Sequence, residues 1–164
     1  MNQNKEKIFY IIPGWKESPE RGPYQKLKKI AEEKGYKVIL KNINWKRSIK
    51  DQLFDIEKKS TVFGFSLGAV IARLVAQKSE CEKIILASMT PLKYFTNKKF
   101  TPDLVEICGK DFVYDIKSIL KKKHLAKQGI SLYGELEKEK ADIIIPKTDH
   151  EINNSYLKAI KNII

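Results

Sequence analysis

Cysteine, histidine and arginine are scarce in this chain of 164 residues, and each shortage narrows what it can be. Cys81 and Cys108 are the only cysteines, and they lack metal-ligand spacing. They are read as free thiols packed like small apolar side chains, not as a disulfide framework or a metal centre. The net charge is +12, yet only Arg21, Arg47 and Arg73 among the 32 basic residues are arginines. Arginine is the residue suited to bidentate recognition of bases and phosphates. The lysine excess is therefore read as a solvated surface, and no nucleic-acid partner is expected. No apolar run approaches the ~20 residues that span a bilayer, so no membrane partner is expected. The run Ile8 to Ile12 is also shorter than the roughly 7–15 apolar residues of a secretion signal, and the chain is expected to be cytoplasmic. Neither G-x-x-x-x-G-K-[ST] nor G-x-G-x-x-G occurs, which argues against a nucleotide-binding α/β domain. No metal and no cofactor is expected.

What remains is an ordinary globular composition, 42% hydrophobic and 32% charged, at a length that suits one domain over residues 1–164. Short β-rich runs alternate with amphipathic ones. Strands are predicted at Lys7–Pro13, Lys37–Ile43, Ser60–Phe65, Lys83–Met89, Gly129–Gly134 and Asp142–Pro146. Helices are predicted at Tyr24–Lys34, Ser48–Lys59, Leu67–Lys78 and Glu151–Ile164. Between Thr90 and Gln128 one helix is predicted from Thr101 or Pro102 and another through Phe112 to Lys123. This alternation implies an α/β protein with three α/β/α layers around a mostly parallel six-stranded sheet. Continuous apolar strands agree with burial on both faces. Ligands of such sheets bind at the carboxyl ends of the strands.

Gly64-Phe65-Ser66-Leu67-Gly68 matches G-x-S-x-G and joins a buried strand to a buried helix. That context is what a nucleophile elbow requires, a tight turn that exposes the serine hydroxyl at the top of the sheet. The Leu67 N–H, at the start of the helix, faces where an oxyanion would form. A second donor belongs in the loop after the first strand, Pro13-Gly14-Trp15. Gly14 permits close backbone approach, Trp15 N–H is the expected donor, and the Trp15 ring is a candidate wall of an acyl pocket. Gly14 and Met89, at the ends of the first and fourth strands, are candidate substrate-binding positions.

Of the two histidines, His124 follows three lysines and is read as a surface residue. His150 lies after the last strand, at the same sheet edge as Ser66, and is the candidate general base. The candidate acids after the fifth strand are Glu135, Glu137 and Asp142, of which Glu137 is favoured. Asp149 adjoins His150 and is read as a loop residue.

In this order (PGW after the first strand, GFSLG before a helix, YGELE, then TDHE) the chain resembles the α/β-hydrolase superfamily over nearly its whole length. It looks most like the small capless bacterial hydrolases, with G-x-S-x-G-A, and is similar in size and plan to the retinoblastoma-binding-protein-9-like serine hydrolases. The resemblance implies a minimal α/β-hydrolase fold without a cap domain, strand order 2-1-3-4-5-6, and a Ser-His-acid esterase mechanism. The expected activity is a carboxylesterase-like cleavage of small acyl esters, with thioesters and lactones as related substrates. The alternative is a hydrolase-like scaffold used for binding. Three departures stand out. The two extra N-terminal strands of many members are absent, Pro13 stands where many have histidine, and only about eight residues (Glu135 to Asp142) connect the last two strands. A parallel crossover normally takes a dozen or more. Eight extended residues reach roughly 26 Å, so a helix-less crossover is expected.

Overall fold

A computed structural model of the chain describes residues 6–164, and for 115, 117 and 119 the backbone. Six strands form one sheet: β1 (Lys7–Ile12), β2 (Tyr36–Leu40), β3 (Ser60–Phe65), β4 (Lys83–Ala87), β5 (Gln128–Gly134) and β6 (Ile143–Ile145). Their order is β2-β1-β3-β4-β5-β6. Every pairing is parallel, including β5 with β6, so the short last connection is a crossover without an α-helix, as expected from its length, and it holds one 3-10 turn, Glu135–Glu137.

Alternation along the strands builds two cores. Phe9, Ile11, Phe63, Phe65, Ile85 and Ala87 face one side, where helices α1 (Gly22–Glu33) and α6 (Asn154–Ile163) pack. Tyr10, Ile12, Val62, Ile84 and Leu86 face the other, beneath α2 (Leu67–Lys78), α4 (Thr101–Cys108) and α5 (Lys110–Ile119). A short α3 (Leu92–Thr96) precedes α4. Every residue of β3 is buried, which explains why Ser60–Phe65 reads as a continuous apolar strand. Cys81 and Cys108 are both buried free thiols.

Several predicted elements differ, among them α5, which ends at Ile119 and not Lys123, and β4, which ends at Ala87 and not Met89. The helix expected at Ser48–Lys59 is only a single 3-10 turn, Lys50–Gln52. There the Gln52 amide donates to the carbonyls of Asn44 (2.9 Å) and Ser48 (3.1 Å) and accepts the Asn44 N–H (2.7 Å). The side chain thus supplies the partners that backbone groups would otherwise find in a helix. From Leu53 the chain is extended, and Leu53, Phe54 and Ile56 cover the sheet. Extended chain covers about twice the distance per residue that a helix does. The second strand stops at Leu40, not Ile43, because β1, its sole sheet neighbour, ends at Ile12. The closing helix begins at Asn154, not Glu151, because the Asn153 side chain caps it by accepting the Tyr156 N–H at 3.0 Å.

The β5–β6 connection is fastened by Asp142. Its carboxylate accepts the Ser131 N–H (2.7 Å) and hydroxyl (2.8 Å), and Ser131 Oγ accepts the Asp142 N–H (3.0 Å). Those bonds hold the Asp142 carboxyl below the usual aspartate range. A depressed folded-state pKa adds stability above the unfolded value, near ~3.9, that is lost as pH falls through the folded one. Asp142→Asn is therefore expected to flatten the acid side of the Tm–pH curve. Parallel curves for parent and variant would show that the clasp contributes nothing.

Candidate active site

β3 runs into α2 with Ser66 as the only residue between them. Ser66 has φ 55 and ψ −122, a conformation that side-chain-bearing residues seldom hold. Its N–H donates to the Ala87 carbonyl (2.9 Å), and its carbonyl accepts the N–H groups of Ala69 (3.1 Å) and Thr90 (3.4 Å). The flanking glycines are required by space. A Cβ on Gly64 would lie 2.3 Å from the Gly68 carbonyl oxygen, and one on Gly68 would lie 2.2 Å from that of Pro13. Backbone meets backbone on both sides of the serine.

His150 and Glu137 arrive from the adjoining edge of the sheet. His150 Nε2 lies 2.9 Å from Ser66 Oγ, and its Nδ1 lies 2.7 Å from Glu137 Oε1. The imidazole packs on the Phe65 ring, with centroids 5.0 Å apart. The other Glu137 oxygen, Oε2, accepts from Ser88 Oγ (2.6 Å) and the Gly134 N–H (2.7 Å). Burial alone would push the Glu137 carboxyl up. The bonds from His150, Ser88 and Gly134, together with the His150 charge, outweigh it, and the carboxyl is held below the usual glutamate range. The rival acids have other work. Glu135 accepts the Lys147 N–H at 2.8 Å, and Asp142 fastens β5 to β6. Asp149 accepts the His150 N–H at 2.9 Å, as a loop residue does.

Sequence reasoning missed two contributors. Ser88 and Gly134 hold the acid, and Gly134 also packs on the loop that carries His150: a Cβ there would lie 2.3 Å from the Thr148 carbonyl oxygen. Ser88 carries no charge and matches no motif. The one clue is its position, at the carboxyl end of the strand beside β3.

Gly14 lies against the nucleophile, since a Cβ on it would be 3.3 Å from Ser66 Cβ. Its N–H points to Glu17 Oε2 and the Tyr24 hydroxyl, each at 3.2 Å. Trp15 carries the next N–H of the loop, and Leu67 stands in the first turn of α2, where N–H groups lack intrahelical acceptors. A cleft of about 350 Å³ opens over Ser66 and His150, lined also by Thr90, Pro91, Tyr94 and Tyr133. The Trp15 ring does not line it. It borders a separate groove of about 990 Å³, between Trp45 and the α4–α5 junction. Met89 also lies elsewhere than expected. Its side chain packs on the core and its carbonyl accepts from the Tyr133 hydroxyl, which makes Thr90 and Pro91 the cleft residues. His124 is half-buried, not a surface residue, because it packs beneath Gly129 at the start of β5.

Among the described residues no cluster of His, Cys, Asp and Glu is arranged to hold a metal, and no helix is long and apolar enough to cross a membrane. Solved structures share this whole arrangement of sheet and helices. The alpha/beta hydrolase domain-containing protein 10 from mouse superposes with a TM-score of 0.67 at 13% identity, over 95% of this chain and 87% of that one. The chain has the α/β-hydrolase fold. Est1E from Butyrivibrio proteoclasticus matches with a TM-score of 0.69 at 14% identity, over 99% of this chain and 86% of the other. A protein of Agrobacterium vitis S4 with a provisional hydrolase name matches with a TM-score of 0.73 at 12% identity, over 98% and 87%. No family model and no curated protein sequence matches the chain.

Proposed function

We propose that the chain is a serine hydrolase that cleaves small carboxylic esters through an acyl-enzyme. One observation carries the reading: the line of contacts from Ser66 Oγ to His150 Nε2 (2.9 Å) and from His150 Nδ1 to Glu137 Oε1 (2.7 Å). Such a line supplies a nucleophile, a base in reach of its proton, and an anion to orient the base. Ser66 Oγ attacks the carbonyl carbon while His150 takes its proton. The oxyanion accepts from the N–H groups of Leu67 and Trp15. The ester C–O bond then breaks, and His150 gives the proton to the departing alkoxide. Water attacks the acyl-Ser66 carbonyl and yields a proton to His150. That proton returns to Ser66 as the carboxylic acid leaves. Glu137 stays ionised throughout and offsets the positive imidazole.

The cleft of about 350 Å³, open to solvent, supports small acyl groups. Thioesters and lactones pass through the same tetrahedral intermediate and belong to the same reading. The binding-scaffold alternative draws its force from a misaligned acid, and the distances around Glu137 lend it none.

The test is intact-mass analysis after incubation with a fluorophosphonate. One adduct on the parent and none on Ser66→Ala is the expected result. An unmodified but folded parent would sink the reading. So would an adduct that survives in the variant.

A further inference from the structure

Two buried hydroxyls take no part in the acyl-transfer steps, and both lead to Glu137. Ser88 is 1% exposed and donates to Glu137 Oε2 at 2.6 Å. Tyr156, fully buried on α6, places its hydroxyl 2.7 Å from Ser88 Oγ and 2.9 Å from the Leu132 carbonyl oxygen. That carbonyl already accepts the Ser88 N–H at 2.7 Å. Three contacts thus compete for two hydroxyl hydrogens. An ionised carboxylate only accepts, so the Ser88 hydrogen goes to Glu137. The lone pairs this leaves on Ser88 Oγ face the Tyr156 hydroxyl. The single Tyr156 hydrogen is shared between Ser88 Oγ and the Leu132 carbonyl oxygen, which also has the Ser88 N–H, so the Tyr156 hydroxyl supports Ser88 while Ser88 donates to the charged carboxylate.

The backbone adds an independent sign. Ser88 has φ 42, a left-handed conformation that non-glycine residues seldom hold. Glycine would hold it without strain. A serine there is explained by its hydroxyl.

We propose that Ser88 and Tyr156 form a positioning relay that fixes the Oε2 edge of Glu137, so that Oε1 meets His150 Nδ1. Glutamate has one more rotatable bond than aspartate, and the relay together with the Gly134 N–H removes that freedom. The relay ties the closing helix α6 to the catalytic machinery without contact with substrate. The inference rests on the triad reading given above. The groups that face Glu137 come from several elements. They are His150 and Asp149 after β6, Tyr133 on β5, Glu139 beyond the 3-10 turn, Tyr156 on α6, and Ser88 after β4. Lys93 of α3 is paired with Glu139.

The test compares the pH profile of kcat/KM on p-nitrophenyl acetate, and the Tm, for the parent, Ser88→Gly, Ser88→Ala, Tyr156→Phe and Ser88→Ala/Tyr156→Phe. Both Ser88 variants are expected to lose about 10–100-fold in kcat, the range seen when groups that orient reacting residues are removed, with little change in KM. The acidic limb moves to higher pH, because a carboxylate that loses a donor takes up a proton more readily, on itself or on the imidazole it faces. Ser88→Gly keeps its Tm near that of the parent, since strain is relieved. Tyr156→Phe shifts the limb in the same direction but less, and the double variant falls no lower than Ser88→Ala. A labelled, active parent whose Ser88 and Tyr156 variants keep its pH profile overturns the relay alone. So do losses that merely follow Tm. A parent without fluorophosphonate labelling or turnover overturns the triad reading and the relay with it.

Discussion

Ser66→Ala, His150→Ala and the double variant are expected to turn over p-nitrophenyl acetate at one shared residual rate, about 10⁴–10⁶-fold below the parent. The shared floor matters more than the size of the fall. Every proton His150 moves belongs to a step at Ser66, to whose Oγ its Nε2 stands 2.9 Å away. Once either partner is gone, the other has nothing left to do, and a second deletion removes little more. Glu137→Gln is expected to fall by about 10³–10⁴-fold, since the amide can hold the wrong imidazole tautomer and no longer offsets its charge. Steady-state kinetics on purified variants, with trace contaminating esterase blocked, measure this directly. Losses that multiply in the double variant would mean that Ser66 and His150 act separately, and the acyl-enzyme scheme would fall.

Much of this site is legible in the sequence because its parts are local. The elbow needs Gly64, Ser66 and Gly68 between an apolar strand and an apolar helix, and all of that lies within one continuous segment. His150 follows from topology, since parallel strands deliver their following loops to one sheet edge. The acid was narrower to read. Glu135, Glu137 and Asp142 share one short connection, and only the fold shows that Lys147 and Ser131 occupy the other two. What stayed hidden depends on side chains distant in sequence. Ser88 and Tyr156 are 68 residues apart and meet across the sheet edge, with no charge or spacing to announce them. The Ser48–Lys59 segment failed for a related reason. Its apolar spacing suits a helix, but one side chain, Gln52, takes up the backbone groups of the preceding loop. The expected place of the Trp15 ring differs because the residue borders the neighbouring groove and not the cleft over Ser66.

Gly68→Ala is expected to abolish fluorophosphonate labelling and to lower Tm by at least about 4–8 °C, an unusually large effect for adding one methyl group. Two terms oppose each other. Alanine gains about 1 kcal/mol over glycine inside a helix. Overpacking costs typically 1–3 kcal/mol, and sometimes more. The new Cβ would sit 2.2 Å from the Pro13 carbonyl oxygen and 2.4 Å from that of Ile12. Neither neighbour is a flexible side chain that can swing aside. Both are main-chain atoms where β1 leads into the Gly14–Trp15 loop. Backbone contacts this short put the clash at about 3 kcal/mol or more, so after the alanine gain a net loss of about 2 kcal/mol or more remains, and relief comes only by moving α2 away from that loop. That displacement separates the Leu67 N–H from the Trp15 N–H, so the proposed oxyanion donors part even where the variant stays folded. Gly22→Ala is the matched control: a Cβ there meets nothing within 4 Å, and its Tm should hold or rise slightly. A Gly68→Ala protein with parental Tm and labelling would mean that α2 can retreat freely, and the second glycine of the motif would then owe its place to something other than backbone contact. Gly64 meets the opposite side of the same junction, where an added Cβ would lie 2.3 Å from the Gly68 carbonyl oxygen, so Gly64→Ala pushes α2 from the β3 side and should fail in the same way. The two glycines thus act as one device: they let a strand, a helix and a loop approach within main-chain contact, and Ser66 is held at φ 55 because of that closeness.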